Sequence, residues 1–114
     1  MSIEPNPVDF TFTALADPTR RAVLERLSTG AATVSDLAAP FDMALPSFTQ
    51  HLGVLERAGL IVSRREGRSR VCTLNPTAMA EAERWMATTR RAWEQRLDRL
   101  AAFVATQQEP PTDD

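Results

Sequence analysis

A chain of 114 residues, 43% hydrophobic and 25% charged, has the size and composition of one ordinary globular domain. Thirteen basic against fifteen acidic residues give a net charge of -2, which by itself points to no nucleic-acid partner; without Glu109, Asp113 and Asp114 of the Pro-rich tail the balance is thirteen against twelve. A single cysteine, Cys72, and a single histidine, His51, exclude an intramolecular disulfide and a thiol or imidazole zinc cluster within one chain, and no apolar run approaches the roughly 20 residues that span a bilayer. Residues 1–9 have no basic start followed by an apolar stretch, so no export signal is read and a cytoplasmic protein is expected. Every basic side chain is arginine, which genome composition explains as readily as a need for two-pronged phosphate contacts.

Residues 8–15 read as a short apolar segment. Asp17 then caps a helix with Pro18 in its first position, running to about Ser28, with Ala22, Val23, Leu24 and Leu27 on one stripe and Gly30 placed for a left-handed C-terminal cap. Thr33, with Asp36 three residues on, starts a second helix bearing Val34, Leu37 and Ala38, which Pro40 stops after barely two turns. After a short connector, residues 45–58 place Phe48, Leu52 and Leu55 at i, i+4 and i+7, and Gly59 ends that helix. Two helices so closely joined, the second longer and polar at its start, predict a helix-turn-helix.

Residues 60–65 and 69–74, with Ile61, Val62, Val71 and Thr73, flank Glu66-Gly67-Arg68 and predict a β-hairpin. Asn75 and Pro76 repeat the cap-plus-proline start, and residues 77–105 lack Gly and Pro, so a helix of about seven to eight turns is expected. On it Met79, Ala82, Met86, Trp93, Leu97, Leu100 and Val104 recur at helical spacings as an apolar seam, whose simplest partner is a second copy of the chain. The division expected is a single domain over residues 1–105 and a disordered acidic tail over 106–114.

The strings ALADPTRRAVLERL (14–27) and TQHLGVLERAGLI (49–61), followed by the basic hairpin, resemble in order and spacing the ArsR/SmtB-type winged-helix regulators over about residues 10–105. The resemblance implies a mainly α fold with a small β-hairpin wing, a homodimer formed by the first and last helices, and the helix at 45–58 entering the DNA major groove. It assigns Phe10, Phe12, Met79, Met86, Trp93, Leu97 and Leu100 to the dimer interface. Metal sensors of the family carry a cysteine pair on the first helix of the helix-turn-helix, or His and acidic ligands on the last helix. Here TVSDLAAP (33–40) has no Cys and 77–105 has no His. The likeness is therefore to the metal-independent branch, with no cofactor expected and no effector named.

A recognition helix turns its first turn and a half toward the base edges, which selects Ser47, Thr49 and Gln50. Gln50 is the candidate base reader, since an amide pairs with adenine in two-toothed fashion; Ser47 and Thr49 are candidates for phosphate or sugar. Leu45 and Pro46 stand where the family often has polar side chains, and Leu45 suits a thymine methyl instead. The stretch RREGRSR (64–70) sets Arg64, Arg65, Arg68 and Arg70 against Glu66 alone, with Arg68 at the turn the first choice for phosphate or a narrow minor groove. The other reading is a solvated edge kept from aggregating by charge.

For His51, packing or a local hydrogen bond stands first, DNA contact second and metal ligation last. Cys72 reads as an inert strand residue, although Arg70 two positions away is placed to lower its pKa. The expected function is a homodimeric repressor on an inverted-repeat operator of double-stranded DNA, with a winged-helix protein-interaction module as the alternative. An enzyme is not expected: no nucleophile, base and orienter set, glycine-rich phosphate loop or metal cluster is present.

Overall fold

In chain order the elements are α1 (Pro7–Leu15), α2 (Pro18–Leu27), β1 (Ala32–Thr33), α3 (Val34–Ala38), α4 (Leu45–Arg57), β2 (Ile61–Glu66), β3 (Ser69–Leu74) and α5 (Pro76–Gln108). They come from a computed structural model, and the structure describes residues 4–108.

The same device starts α1, α2 and α5: a short polar side chain followed by proline. Asn6 Oδ1 accepts the Val8 N–H at 3.0 Å while Asp9 Oδ2 accepts the Asn6 N–H at 2.8 Å, a reciprocal cap. Asp17 Oδ2 accepts from Arg20 N at 3.0 Å, and Asn75 Oδ1 from Thr77 N at 3.2 Å. In each case the proline fixes φ where the chain has no helical hydrogen bond to lose. The apolar segment at 8–15 is the first helix that the family resemblance implies, and Asn6-Pro7 is the local signal that starts it.

α4 ends in a Schellman motif. Gly59, at φ +76°, lets its own N–H reach the Glu56 carbonyl and the Leu60 N–H reach that of Leu55, both at 3.0 Å. Leu55 and Leu60, the apolar pair that accompanies such a cap, are both buried. They join Val23 and Leu27 of α2, Leu37 of α3, Phe48 and Leu52 of α4, and Ile61 and Cys72 of the sheet in one core. Phe41, in the turn before α4, stacks on Phe48 with ring centroids 5.5 Å apart, so the helix-turn-helix is held by packing as well as by chain length.

The sheet is antiparallel in the order β1-β3-β2. A hairpin was expected and is present, but β1 adds a third strand through Ala32↔Cys72 and Thr33↔Val71. Two residues are too short to show alternation, and Thr33 also caps α3, its Oγ1 accepting the Asp36 N–H at 3.1 Å. Pairing of Glu66 with Ser69 leaves Gly67-Arg68 as a two-residue loop. Gly67 has φ +62° and, among the described residues, none other than glycine has positive φ, the pattern of a type II′ turn. Gly30, expected in a left-handed helical cap, takes φ +138° instead, three residues beyond Leu27, where α2 ends.

The chain forms two compact units that divide between Ala82 and Glu83, inside α5. The first contains the core and the sheet, and it buries Ala78 and Ala82 of α5. Met79, expected at a dimer interface, packs against the core of its own chain. The second unit is the rest of α5, in which no described residue is buried. The helix runs on through Gln108, so residues 106–108, expected in the tail, are helical; residues 109–114 of that tail lie outside the described residues. Among the described residues no helix is long and apolar enough to cross a membrane.

Candidate nucleic-acid interface

α4 has two faces. Phe48, Leu52 and Leu55 are buried, while Leu45, Pro46, Ser47, Thr49 and Gln50 in its first turns are exposed. No side chain caps this helix at Ala44, and Pro46 occupies an early position where a missing N–H costs nothing. Its N-terminal turn therefore presents backbone N–H groups that no side chain satisfies, at the end of a helix that favours anions.

Along the exposed face an open groove is lined by Leu45, Pro46, Thr49, Gln50, Gly53, Val54 and Arg57. Gln50 has no hydrogen-bond partner among the described residues, leaving both ends of its amide available. Thr49 differs: its Oγ1 donates to the Leu45 carbonyl at 2.9 Å, so only its lone pairs remain to accept. The half-buried His51 turns its Nδ1 to Arg20 Nη1 of α2, at 3.0 Å, a hydrogen bond within the protein to a residue distant in sequence.

The wing arginines fall into two groups. Arg64 Nε and Nη2 lie 2.9 and 2.8 Å from Glu66 Oε1, a pair neutralised on the hairpin surface. Arg70 Nη1 donates to Ser63 Oγ at 2.8 Å, and Ser63 Oγ donates to Glu56 Oε1 on α4 at 2.6 Å. This chain ties the two strands of the wing to the helix, a role that sequence spacing does not reveal because the partners come from three elements. Arg65 and Arg68 have no hydrogen-bond or ion-pair partner among the described residues.

Arg65 is paired directly with Arg70, so two guanidinium side chains share one face of the hairpin, with Arg68 in the adjoining turn. Like charges directly opposite destabilise a sheet unless an anion compensates them. A second groove joins the wing to the helix-turn-helix, lined by Thr33, Ser35, Thr49, Glu56, Arg68 and Arg70 among others.

Cys72 is fully buried between β1 and β2. Burial pushes its thiol above the ordinary value of 9.0 and the Glu56 carboxylate adds to the rise; Arg70 pulls the other way with a smaller effect. The lowering expected from Arg70 is thus outweighed by desolvation. Among the described residues no three His, Cys, Asp or Glu side chains group as a metal site.

Residues 15–64 match a helix-turn-helix domain family. The transcriptional repressor SdpR of Bacillus subtilis (strain 168) is 37% identical over 75 residues, covering 66% of this chain and 83% of the relative. The crystal structure of an ArsR family transcriptional regulator is 50% identical at a TM-score of 0.76, with 82% of this chain and 97% of that chain covered. A homodimeric winged helix-turn-helix DNA-binding domain from Mycobacterium bovis, a possible ArsR-family regulator, has the same fold at 24% identity and a TM-score of 0.57, over 87% of this chain and 95% of that one. With its winged helix-turn-helix, and with these identities over most of both chains, the protein belongs to the ArsR family of DNA-binding transcriptional regulators.

Proposed function

We propose that the protein is a homodimeric, sequence-specific repressor that binds an inverted-repeat operator without a metal effector. The observation that carries this reading is the cross-strand pair Arg65 and Arg70, with Arg68 in the turn beside them. Two opposed cations are unfavourable until phosphate oxygens sit between or beside them, so a DNA backbone turns an unfavourable pair into a binding element. α4 enters the major groove, Gln50 reads adenine, and Ser47 and the Thr49 oxygen fix the helix on the backbone. Arg65 and Arg68 bind phosphates, while Arg70 both holds the wing to Glu56 and lends its charge.

Dimerisation uses Phe10 and Phe12 of α1 with Met86, Trp93, Leu97 and Leu100 of α5, most of them exposed in the single chain. A two-fold dimer matches a two-fold operator, with half-sites about one helical turn, roughly 34 Å, apart. The homodimeric domain from Mycobacterium bovis supports the assembly, and the named repressor from Bacillus subtilis supports repression.

The test is selection of genomic fragments by the purified protein at near-physiological salt with a chelator throughout. Enrichment of an inverted repeat is the expected result; retention without a motif would overturn the operator reading. Arg68→Ala isolates the wing better than any change at Arg70, whose loss also breaks the link to Ser63. It should weaken binding to all sequences alike and lower the salt slope by about 1.

A further inference from the structure

Arg20 of α2 stands where three helices meet. Its Nε donates to the Ala14 carbonyl at 2.8 Å and its Nη2 to the Thr13 carbonyl at 3.0 Å, both in the last turn of α1. A helix end leaves such carbonyls short of donors, that of Thr13 taking only the capping N–H of Ala16 at 3.2 Å, and a cation suits its negative pole. α1 has no basic residue of its own there, and α2 supplies two, because Arg21 Nη1 also donates to the Leu15 carbonyl at 2.8 Å.

The third guanidinium nitrogen, Nη1, lies 3.0 Å from Nδ1 of His51, on the turn of α4 that follows Gln50. Asp17 Oδ2 is 3.7 Å from the same ring nitrogen, beyond a hydrogen bond, and already accepts the Arg20 backbone N–H. A guanidinium only donates, so the Nδ1 that faces it accepts and carries no hydrogen. The ring hydrogen is then on Nε2.

We propose that Arg20 is a positioning residue for DNA recognition, holding α4 through His51 to the C-terminal end of α1. The inference rests on the reading of α4 as the DNA-reading helix and deepens it by giving His51 an orienting role rather than a DNA contact. Two-toothed pairing of the neighbouring Gln50 with a base requires a fixed helix, and a side chain held at both ends fixes it better than apolar packing that can slide. It also links the helix proposed for dimer contact to the helix proposed for readout through one side chain, a physical route by which one site can bias the other.

The test uses the full-length protein without a histidine tag. Because the chain has one histidine, nitrogen-15 labelling of histidine gives a spectrum that needs no assignment. Wild type should show one Nε2–H tautomer, and Arg20→Lys an averaged mixture, since an ammonium cannot hold the three acceptors in one plane. In parallel, His51→Phe keeps a ring and removes the acceptor; it should lower operator affinity about tenfold, and affinity for scrambled DNA by less. His51→Asn, whose Oδ1 takes the place of Nδ1, should restore most of that loss. Adding Arg20→Lys to His51→Phe should cost little more than His51→Phe alone.

A hydrogen on Nδ1 in wild type, or failure of His51→Asn to restore binding while thermal melts match wild type, overturns the proposal. If His51→Phe fails to fold, the tautomer in wild type and the affinity of His51→Asn still decide. Wild-type protein that shows no preference for any operator fails the functional reading instead, and the ring spectrum then reports on the contact by itself.

Discussion

The two parts of α5 share one helix and one residue style, yet they differ in what they bury. Ala78 and Ala82 at its start are enclosed, and Met79 packs against the core. Past Ala82 the apolar side chains stay out: Trp93 is 65% exposed, Leu97 63% and Phe103 60%. Isolated exposed leucines are ordinary, but a row at helical spacing is an unpaid hydrophobic surface that a second chain can cover. A continuous sequence pattern therefore hides two environments, one enclosed within the chain and one left exposed, which the proposed dimer would cover.

That contrast can be broken first at its exposed end. Leu97→Glu should cost about 3 to 6 kcal/mol of association, counting one buried leucine on each protomer, and light scattering should shift toward the 12.6 kDa monomer while circular dichroism keeps the fold. A dimer that survives it would show that the seam is not the interface. Phe48→Ala probes the enclosed side: removing a ring that is fully buried and stacked on Phe41 should lower stability by about 3 to 5 kcal/mol in chemical denaturation. Phe48→Ala, which leaves the seam intact, should keep an unfolding midpoint that rises with protein concentration, whereas the midpoint of monomeric Leu97→Glu should not move with it.

Smaller effects sharpen the same division between residues the fold uses and residues it leaves free. Gln50→Ala should remove about 1 to 3 kcal/mol of discrimination between operator and scrambled DNA with no change in melting temperature; an equal loss on both DNAs would remove Gln50 as base reader. Asp17→Ala should cost about 1 kcal/mol of stability, since Asp17 caps α2. Its carboxyl is held below the ordinary 3.8 chiefly by the Arg20 backbone N–H, with the Arg20 charge adding to the lowering against a rise from burial. The unfolded chain therefore takes up the proton first as pH falls. This increment of stability is complete above about pH 3.8 and is lost on acidification through the lower folded value, a slope that Asp17→Asn should flatten in acid titrations of stability.

Element by element, the legibility of the chain followed the range of the forces involved. Caps at Asp17, Thr33 and Asn75, the glycine after α4 and the hairpin turn are local events, decided by side chains two or three residues from the backbone groups they satisfy, and they stand in the sequence in plain view. α1 is legible in the same way through Asn6-Pro7, although the family resemblance rather than its apolar content implies the helix. Of the candidate site, the exposure of Ser47, Thr49 and Gln50 followed from the helical period once Phe48, Leu52 and Leu55 were assigned to the core.

What no spacing rule contained was the partnership among polar groups distant in sequence. Arg20 and His51 are 31 positions apart, and Arg70 reaches Glu56 only through Ser63. Charge density alone made Arg64, Arg65, Arg68 and Arg70 equivalent, whereas the register opposed Arg65 to Arg70 and left Arg64 neutralised by Glu66. The sequence by itself determined where α2, α3 and α5 begin, where α4 ends and where the hairpin turns, because those choices are settled within a few residues. Only the tertiary structure decided which cations are spent inside the protein and which face outward, because a hydrogen bond's partner depends on where the folded chain returns.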